Sequence, residues 1–71
     1  MEKVVKIETE TITLGQFLKL ADVIQTGGMA KWFLREHEVY VNDEPENRRG
    51  RKLKDGDVVI IPGMATLVVK R

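Results

Sequence analysis

Residues 13–37 read TLGQFLKLADVIQTGGMAKWFLREH, and most of the expected architecture follows from them. Thr13 predicts the N-cap of a first helix, because Gln16 three residues later completes a capping-box spacing. Apolar residues then recur at helical intervals, at Leu14, Phe17, Leu18, Ala21 and Ile24. We therefore expect a first helix with one apolar face.

A second helix is predicted after the interruption at Thr26-Gly27-Gly28. Thr26 predicts its cap, and Ala30, Phe33 and Leu34 repeat at helical spacing. We expect this helix to stop near His37, because histidine enters the left-handed backbone region more readily than most residues with a side chain.

The segments on either side of the helix pair predict short strands. Lys3 to Thr9 alternates, with Val5 and Ile7 on one face. Further strands are predicted at 39–41, 58–61 and 66–69, and turns at 42–43, 55–57 and 62–63. The run at 58–61 is continuously apolar, which is typical of a central strand. The expected fold class is α+β, with two short helices packed on a small, mostly antiparallel sheet.

Length and composition favour a binding protein over an enzyme. The chain has 71 residues, which predicts a single domain spanning 1–71, and no cysteine. At this size folding hides only about 60% of the surface of the extended chain, so a deep active site is hard to build. Serine is also absent, and no histidine and carboxylate spacing suggests a metal or a catalytic triad. We expect no catalytic residue, no metal site and no cofactor.

Apolar runs are too short to span a membrane, and the charges at Glu2, Lys3 and Lys6 argue against a signal peptide. A cytoplasmic protein without membrane contact is the expectation.

Charge is unevenly distributed along the chain. Lys plus Arg number 12 and Asp plus Glu 11, but residues 48–54 contain five cations and no acid. We predict an exposed loop from Glu44 to Lys52, in which Gly50 allows close approach and arginines bind phosphate oxygens through paired donors. Lys31 and Arg35 lie one helical turn apart and extend this basic strip. The alternative is a loop that is merely solvated.

The tryptophan, the tyrosine, the histidine and two turn aspartates each allow two interpretations. Trp32 projects away from the apolar stripe of the second helix, so it either stacks on a base or is covered by a neighbouring segment, such as the N-terminal strand or the chain end. Tyr40 has the same ambiguity. His37 is interpreted as a helix C-cap rather than a ligand, and Asp55 and Asp57 as turn residues rather than catalytic carboxylates.

Four segments together resemble a known family. They are Leu14–Lys19, Thr26–Lys31, Val39–Asn42 and Lys52–Val59. Their order and spacing are similar to the RNA-binding domain named after ribosomal small-subunit protein S-four. Residues 48–53 and the near absence of additional sequence resemble the small stand-alone YaaA type, which is related to the YbcJ type. The resemblance covers Ile12 to Ile61.

The resemblance implies the alpha-L motif, which recognises structured RNA through phosphates and shape. It places the RNA-facing surface on Gln16, Lys19, Thr26, Gly27, Lys31, Arg35, Arg48, Arg49, Arg51 and Lys52. Many members have Arg and Asp where this chain has Thr13 and Gly15, and a basic residue at Gly27. Lys31, Arg35 and the loop are therefore expected to supply most of the contacts to RNA.

The expected function is non-enzymatic binding of structured RNA, with ribosomal RNA or a ribosome-associated RNA as partner. Four to six phosphate contacts predict a salt slope of about −3 to −5. Trp32 and Tyr40 are the candidate stacking residues. The alternative is a protein-interaction module using Trp32 and a sheet edge. A monomer is expected.

Overall fold

The structure is a computed structural model that describes residues 2–71. Its helices and strands are β1 (Glu2–Lys6), β2 (Thr11–Thr13), α1 (Leu14–Leu20), α2 (Met29–Glu36), β3 (Tyr40–Val41), β4 (Glu44–Pro45), β5 (Lys52–Lys54), β6 (Val58–Ile61) and β7 (Ala65–Lys70). The predicted α+β class is confirmed. No helix within residues 2–71 is long and apolar enough to cross a membrane.

The main sheet has five strands in the order β1-β7-β6-β3-β4. Strands β1 and β7 are parallel and the other neighbours are antiparallel, so the prediction of a mostly antiparallel sheet is confirmed. A separate antiparallel ribbon joins β2 to β5, with Thr13 opposite Lys52. This ribbon was not predicted, and it connects the start of α1 to the end of residues 48–54, the basic segment.

Alternation along the strands directs one face of the main sheet into the core. Val5, Val59, Leu67 and Val69 are buried on this face, as the predicted strand pattern requires. The helices contribute the opposite half of the cluster, with Leu14, Phe17, Leu18, Ala30, Phe33 and Leu34. The predicted central position of residues 58–61 is confirmed, since β6 lies between β7 and β3.

Helix α1 begins as predicted but ends early. The Gln16 backbone N–H donates to the Thr13 hydroxyl at 3.3 Å. The helix stops at Leu20, where the N–H of Val23 donates to the Leu18 carbonyl and Asp22 adopts a φ of +66°. This Schellman-type ending keeps residues beyond it, including Ile24, against the core. Because apolar residues keep their helical spacing beyond Leu20, the sequence predicts a longer helix than the structure has.

Helix α2 differs from the prediction at both ends. Thr26 is not its side-chain cap; Gly28 occupies that position, and the Thr26 carbonyl accepts from the Met29 N–H at 3.1 Å. His37 is the C-cap as predicted, but its backbone is extended (φ −126°, ψ 141°) and not left-handed. The His37 ring stacks on Phe33 with centroids 4.4 Å apart. The side chain of the C-cap residue therefore stays in contact with the last helical turn.

The segment predicted as an exposed loop, residues 44–52, is mostly exposed and irregular, but both of its ends pair in strands. Asn42 and Asp43 have φ of +50° and +69°, as a tight hairpin requires, and the chain returns as β4 beside β3. Glu46 is buried and Lys52 opens β5. The first strand ends at Lys6 rather than Thr9, although Ile7 is buried as predicted.

Candidate nucleic-acid interface

The basic segment is fastened to the first turn of α1. The Leu14 N–H donates to the Arg51 carbonyl at 2.7 Å, and the Gly15 N–H donates to the Arg49 carbonyl at 2.9 Å. With the Thr13 hydroxyl accepting from Gln16, these bonds satisfy the backbone donors that a helix start normally leaves free. The start of α1 therefore positions the basic segment and offers no free first-turn amide to an anion.

Gly15 allows α1, α2 and the basic segment to converge. A Cβ atom at this position would lie 3.2 Å from the Cβ of Ala30 and 3.3 Å from the Cβ of Arg49. These distances are shorter than ordinary van der Waals contact. A side chain at Gly15 would therefore force Ala30 or Arg49 to move by a few tenths of an ångström.

A shallow groove of about 300 Å³ opens at this junction. Its lining is Thr13, Gly15, Gln16, Gly27, Ala30, Arg49 and Gly50. Three residues predicted to face RNA, namely Gln16, Gly27 and Arg49, are thereby brought together. A Cβ added at Gly27 or Gly50 would meet nothing within 4 Å, so both glycines border open space.

Two of the predicted phosphate-binding arginines are engaged by Glu46. Arg48 donates to the Glu46 carboxylate through Nε at 2.9 Å and Nη2 at 3.2 Å, and its backbone N–H donates at 3.1 Å. Arg51 donates through Nη1 at 2.9 Å. The Glu46 side chain is 5% exposed. Hydrogen bonds from Arg48 and then Arg51 lower the pKa of Glu46 to about 2, although burial opposes the shift.

Glu46 is the important site residue that sequence reasoning missed. It lies in the segment that the sequence predicts to be an exposed loop, and its spacing of two and five residues from Arg48 and Arg51 is the one sequence signal for pairing. The ion pairs organise the segment and reduce the net positive charge that its composition suggested.

The other predicted cations fall into two groups. Within residues 2–71 no carboxylate lies within 4.0 Å of the charged groups of Lys19, Lys31, Arg49 or Lys52, and all four residues are exposed. Arg35 lies 3.6 Å from Glu36 and lines a different cavity, of about 360 Å³, beside the β3–β4 hairpin. Of the predicted cations, Arg49 is therefore the one that lines the groove.

These features can be compared with known proteins. The model of the S4 domain matches residues 5–70. The chain belongs to the S4 domain family. It is 71% identical over 69 residues to the "Probable ribosome maturation protein RlbA" of Bacillus subtilis (strain 168), a match covering 97% of each chain. The S-four resemblance predicted from the sequence is confirmed.

The two candidate stacking residues of this S4 domain lie outside the groove lining. Trp32 is 50% exposed, so of its two interpretations the one in which a neighbouring segment covers it is wrong. Tyr40 is partly buried and donates its hydroxyl to Glu38 at 3.3 Å. The negative charge of Glu38 and this hydrogen bond raise the pKa of Tyr40. Tyr40 lines the second cavity together with Arg35.

The aspartates of the S4 domain have the turn positions predicted for them. Asp57 accepts from the Lys54 N–H at 2.9 Å and from the Asn42 side chain at 3.1 Å. Burial raises the pKa of Asp57, but the Lys54 and Asn42 hydrogen bonds outweigh this effect and lower it below its ordinary value. Asp55 accepts from the Arg71 N–H at 2.8 Å. In the described part of the chain, no three His, Asp or Glu residues are grouped to hold a metal ion.

Proposed function

We propose that this S4 domain binds structured RNA without catalysing a reaction, and that the RNA is ribosomal or ribosome-associated. The observation that carries the proposal is the groove at the junction of α1, α2 and the basic segment, with Gly27, Gly50 and the unpaired Arg49 at its border. The name of the Bacillus subtilis relative, a probable ribosome maturation protein, supports the ribosomal context.

Shape is the first contribution to RNA binding. Open space above Gly27 and Gly50 lets a sugar-phosphate backbone approach the main chain closely. Structured RNA is recognised largely by shape and by contacts to phosphates and 2′-hydroxyls. A shallow groove bordered by glycines suits such a ligand better than a base-stacking platform would.

Charge is the second contribution. Arg49 supplies a paired donor for phosphate oxygens, and Lys19, Lys31 and Lys52 add point charges on the surrounding surface. Arg48 and Arg51 act mainly by holding the segment through Glu46. With four effective contacts, the logarithm of affinity should fall with the logarithm of salt concentration with a slope of about −3 to −4.

The decisive experiment removes two cations that Glu46 does not engage. The double substitution Arg49→Ala and Lys52→Ala should weaken binding to an RNA hairpin and reduce the salt slope by about 2. Fluorescence anisotropy with a labelled hairpin, a single strand and a DNA duplex, titrated across salt, measures both effects. Arg51→Ala is unsuitable for this test because Arg51 also bonds to Glu46.

A matched control uses Lys70→Ala with Arg71→Ala, which removes the same residue types at the end of the chain, outside the groove. This pair should change the slope far less. Equal losses for the two double variants would reduce the site to a general polyanion surface, and a flat salt response of the wild type would contradict the phosphate mechanism.

Blocking the groove tests shape independently of charge. Gly27→Leu should leave the thermal midpoint almost unchanged, because the space around this position is open, and should weaken hairpin binding by about tenfold. Gly28→Leu is the control, since Gly28 does not line the groove and its added Cβ meets only the Thr26 hydroxyl, at 3.9 Å. Equal affinity of the Gly27 variant and the wild type would show that RNA does not enter the groove.

A protein-interaction function is the second candidate, favoured by exposed apolar side chains on α2. Trp32 is 50% exposed and Met29, three residues earlier on the same flank, is 37% exposed. Trp32→Ala discriminates between the functions. Loss of ribosome association with unchanged hairpin binding would favour a protein contact, whereas loss of hairpin binding would assign Trp32 to base stacking.

A further inference from the structure

Strand β1 leaves one side of the main sheet open. It pairs with β7 alone, in parallel register from Glu2 opposite Thr66 to Lys6 opposite Lys70. The Ile7 N–H donates to the Lys70 carbonyl at 2.7 Å, so odd-numbered residues direct their backbone groups toward β7. The N–H and C=O groups of Glu2, Val4 and Lys6 consequently point to the open side, where no strand of residues 2–71 pairs with them.

An apolar row ends at this open edge. Val4 is 62% exposed, the highest value among the exposed large hydrophobic residues. Val4 lies opposite Val68, which lies opposite Val58, and all three are on the sheet face away from the core. Strand β1 contains neither proline nor glycine, but it does contain Lys3 and Lys6, and lysine is a common protection of edge strands. Its edge can therefore accept a strand that does not place like charges opposite these lysines.

The charges of β1 are complementary to those of β1 itself in reversed orientation. In an antiparallel pair of two β1 strands centred on Val4, Glu2 of each copy lies opposite Lys6 of the other. Val4 lies opposite Val4, with its backbone groups directed at the partner as a hydrogen-bonded pair requires. Two opposite-charge pairs then flank one apolar pair, and such cross-strand pairs stabilise an antiparallel ladder.

Neighbouring registers lack this complementarity. Centring the pair on Lys3 places two lysines opposite each other, and centring it on Lys6 does the same. Centring on Val5 places Glu2 opposite Glu8. Like charges directly opposite each other are destabilising, so the sequence of β1 selects the register centred on Val4.

We propose that the open edge of β1 is a self-association site, at which β1 of a second copy of this chain pairs antiparallel and joins the two main sheets into one. The arrangement is isologous, so it closes as a dimer and does not propagate. It covers Val4 on both copies and satisfies the edge backbone groups of Glu2, Val4 and Lys6. None of the residues of the proposed RNA site lies on β1, so the two proposals are independent.

Charge exchange tests the pairing without disturbing the core, because Glu2 and Lys6 are exposed. Sedimentation equilibrium of the wild-type chain should give a concentration-dependent dimer. Glu2→Lys and Lys6→Glu each create two like-charge pairs and should weaken dimerisation by about tenfold. The double variant restores both opposite-charge pairs and should recover the wild-type dissociation constant.

Amide hydrogen exchange provides a second readout, since the Val4 amide should become protected as protein concentration rises. A wild-type chain that stays monomeric at about 1 mM, where a millimolar dimer is substantially formed, would overturn the proposal. A dimer insensitive to both single charge changes, or one that the double variant fails to restore, would place the interface elsewhere. Hairpin binding by the charge-exchange variants reports separately on the RNA site.

Discussion

Glu46→Gln should lower the free energy of unfolding by about 1–2 kcal/mol at pH 7, because it weakens the hydrogen bonds that join the carboxylate to Arg48 and Arg51. The range allows for solvent screening, since the Arg48 side chain is 73% exposed. Urea denaturation followed by far-UV circular dichroism measures the change. Glu44→Gln, at an exposed position on β4, is the matched control and should have little effect.

The stabilisation that ionised Glu46 provides should decrease as the pH falls. The pKa of Glu46 is lowered from 4.5 to about 2 on folding, so its contribution to stability is fully present above about pH 4.5. The contribution is lost as pH falls from about 4.5 toward 2, where the folded carboxylate also becomes protonated. The difference between wild type and Glu46→Gln should therefore shrink over this range. A difference that stays constant from pH 7 to pH 2 would contradict an ionised Glu46 as its source.

Gly15→Val should destabilise the chain by about 2 kcal/mol and lower the thermal midpoint by about 8–16 °C. Its Cβ would meet Ala30 at 3.2 Å and Arg49 at 3.3 Å, and the methyl groups would add to that crowding. Relief of the crowding requires α2 or the basic segment to move away from α1, which strains the hydrogen bond from Gly15 to Arg49. Differential scanning calorimetry measures the midpoint, and RNA binding below it reports on the displaced Arg49.

Gly28→Val separates crowding from the general effect of adding a β-branched residue. Gly28 has an ordinary helical backbone and no neighbour closer to its added Cβ than 3.9 Å. It should therefore lower the midpoint much less than Gly15→Val. Equal midpoints for the two variants would show that the convergence at Gly15 is readily relaxed.

Local patterns predicted the elements whose determinants lie close together in the chain. The Thr13 cap, the tight turn at Asn42-Asp43 and the alternation around Val5 all depend on neighbours within a few residues, and all are confirmed. The predicted end of α1 failed because Ile24 keeps the helical apolar period while belonging to the turn beyond the helix. An apolar residue at helical spacing can lie in the helix or in a buried turn after it, and its burial is the same in both positions.

The sequence predicted which residue types form the candidate site but not how their side chains pair. The sequence indicated that arginines and glycines at 48–52 matter, and Gln16, Gly27 and Arg49 do border one groove. It did not indicate that Arg48 and Arg51 bond to Glu46, because this pairing depends on the burial of Glu46 between β4 and the basic segment. The sequence left open whether Trp32 is exposed or covered, since this depends on which segments pack beside α2, and the structure leaves it 50% exposed.

By itself, the sequence determined the α+β class, the helix pair and the central apolar strand, because hydrophobic period, capping residues and turn residues act over short distances. The S4 family was indicated by the resemblance of four sequence segments to known members. Only the tertiary structure decided which cations remain unpaired and where the groove opens. The pairing of Arg48 and Arg51 depends on the burial of Glu46, whereas the groove depends on contacts between residues distant in the chain, from Gly15 to Arg49 and from Thr13 to Lys52. Such contacts arise from packing the whole chain around one core, and no local pattern encodes them.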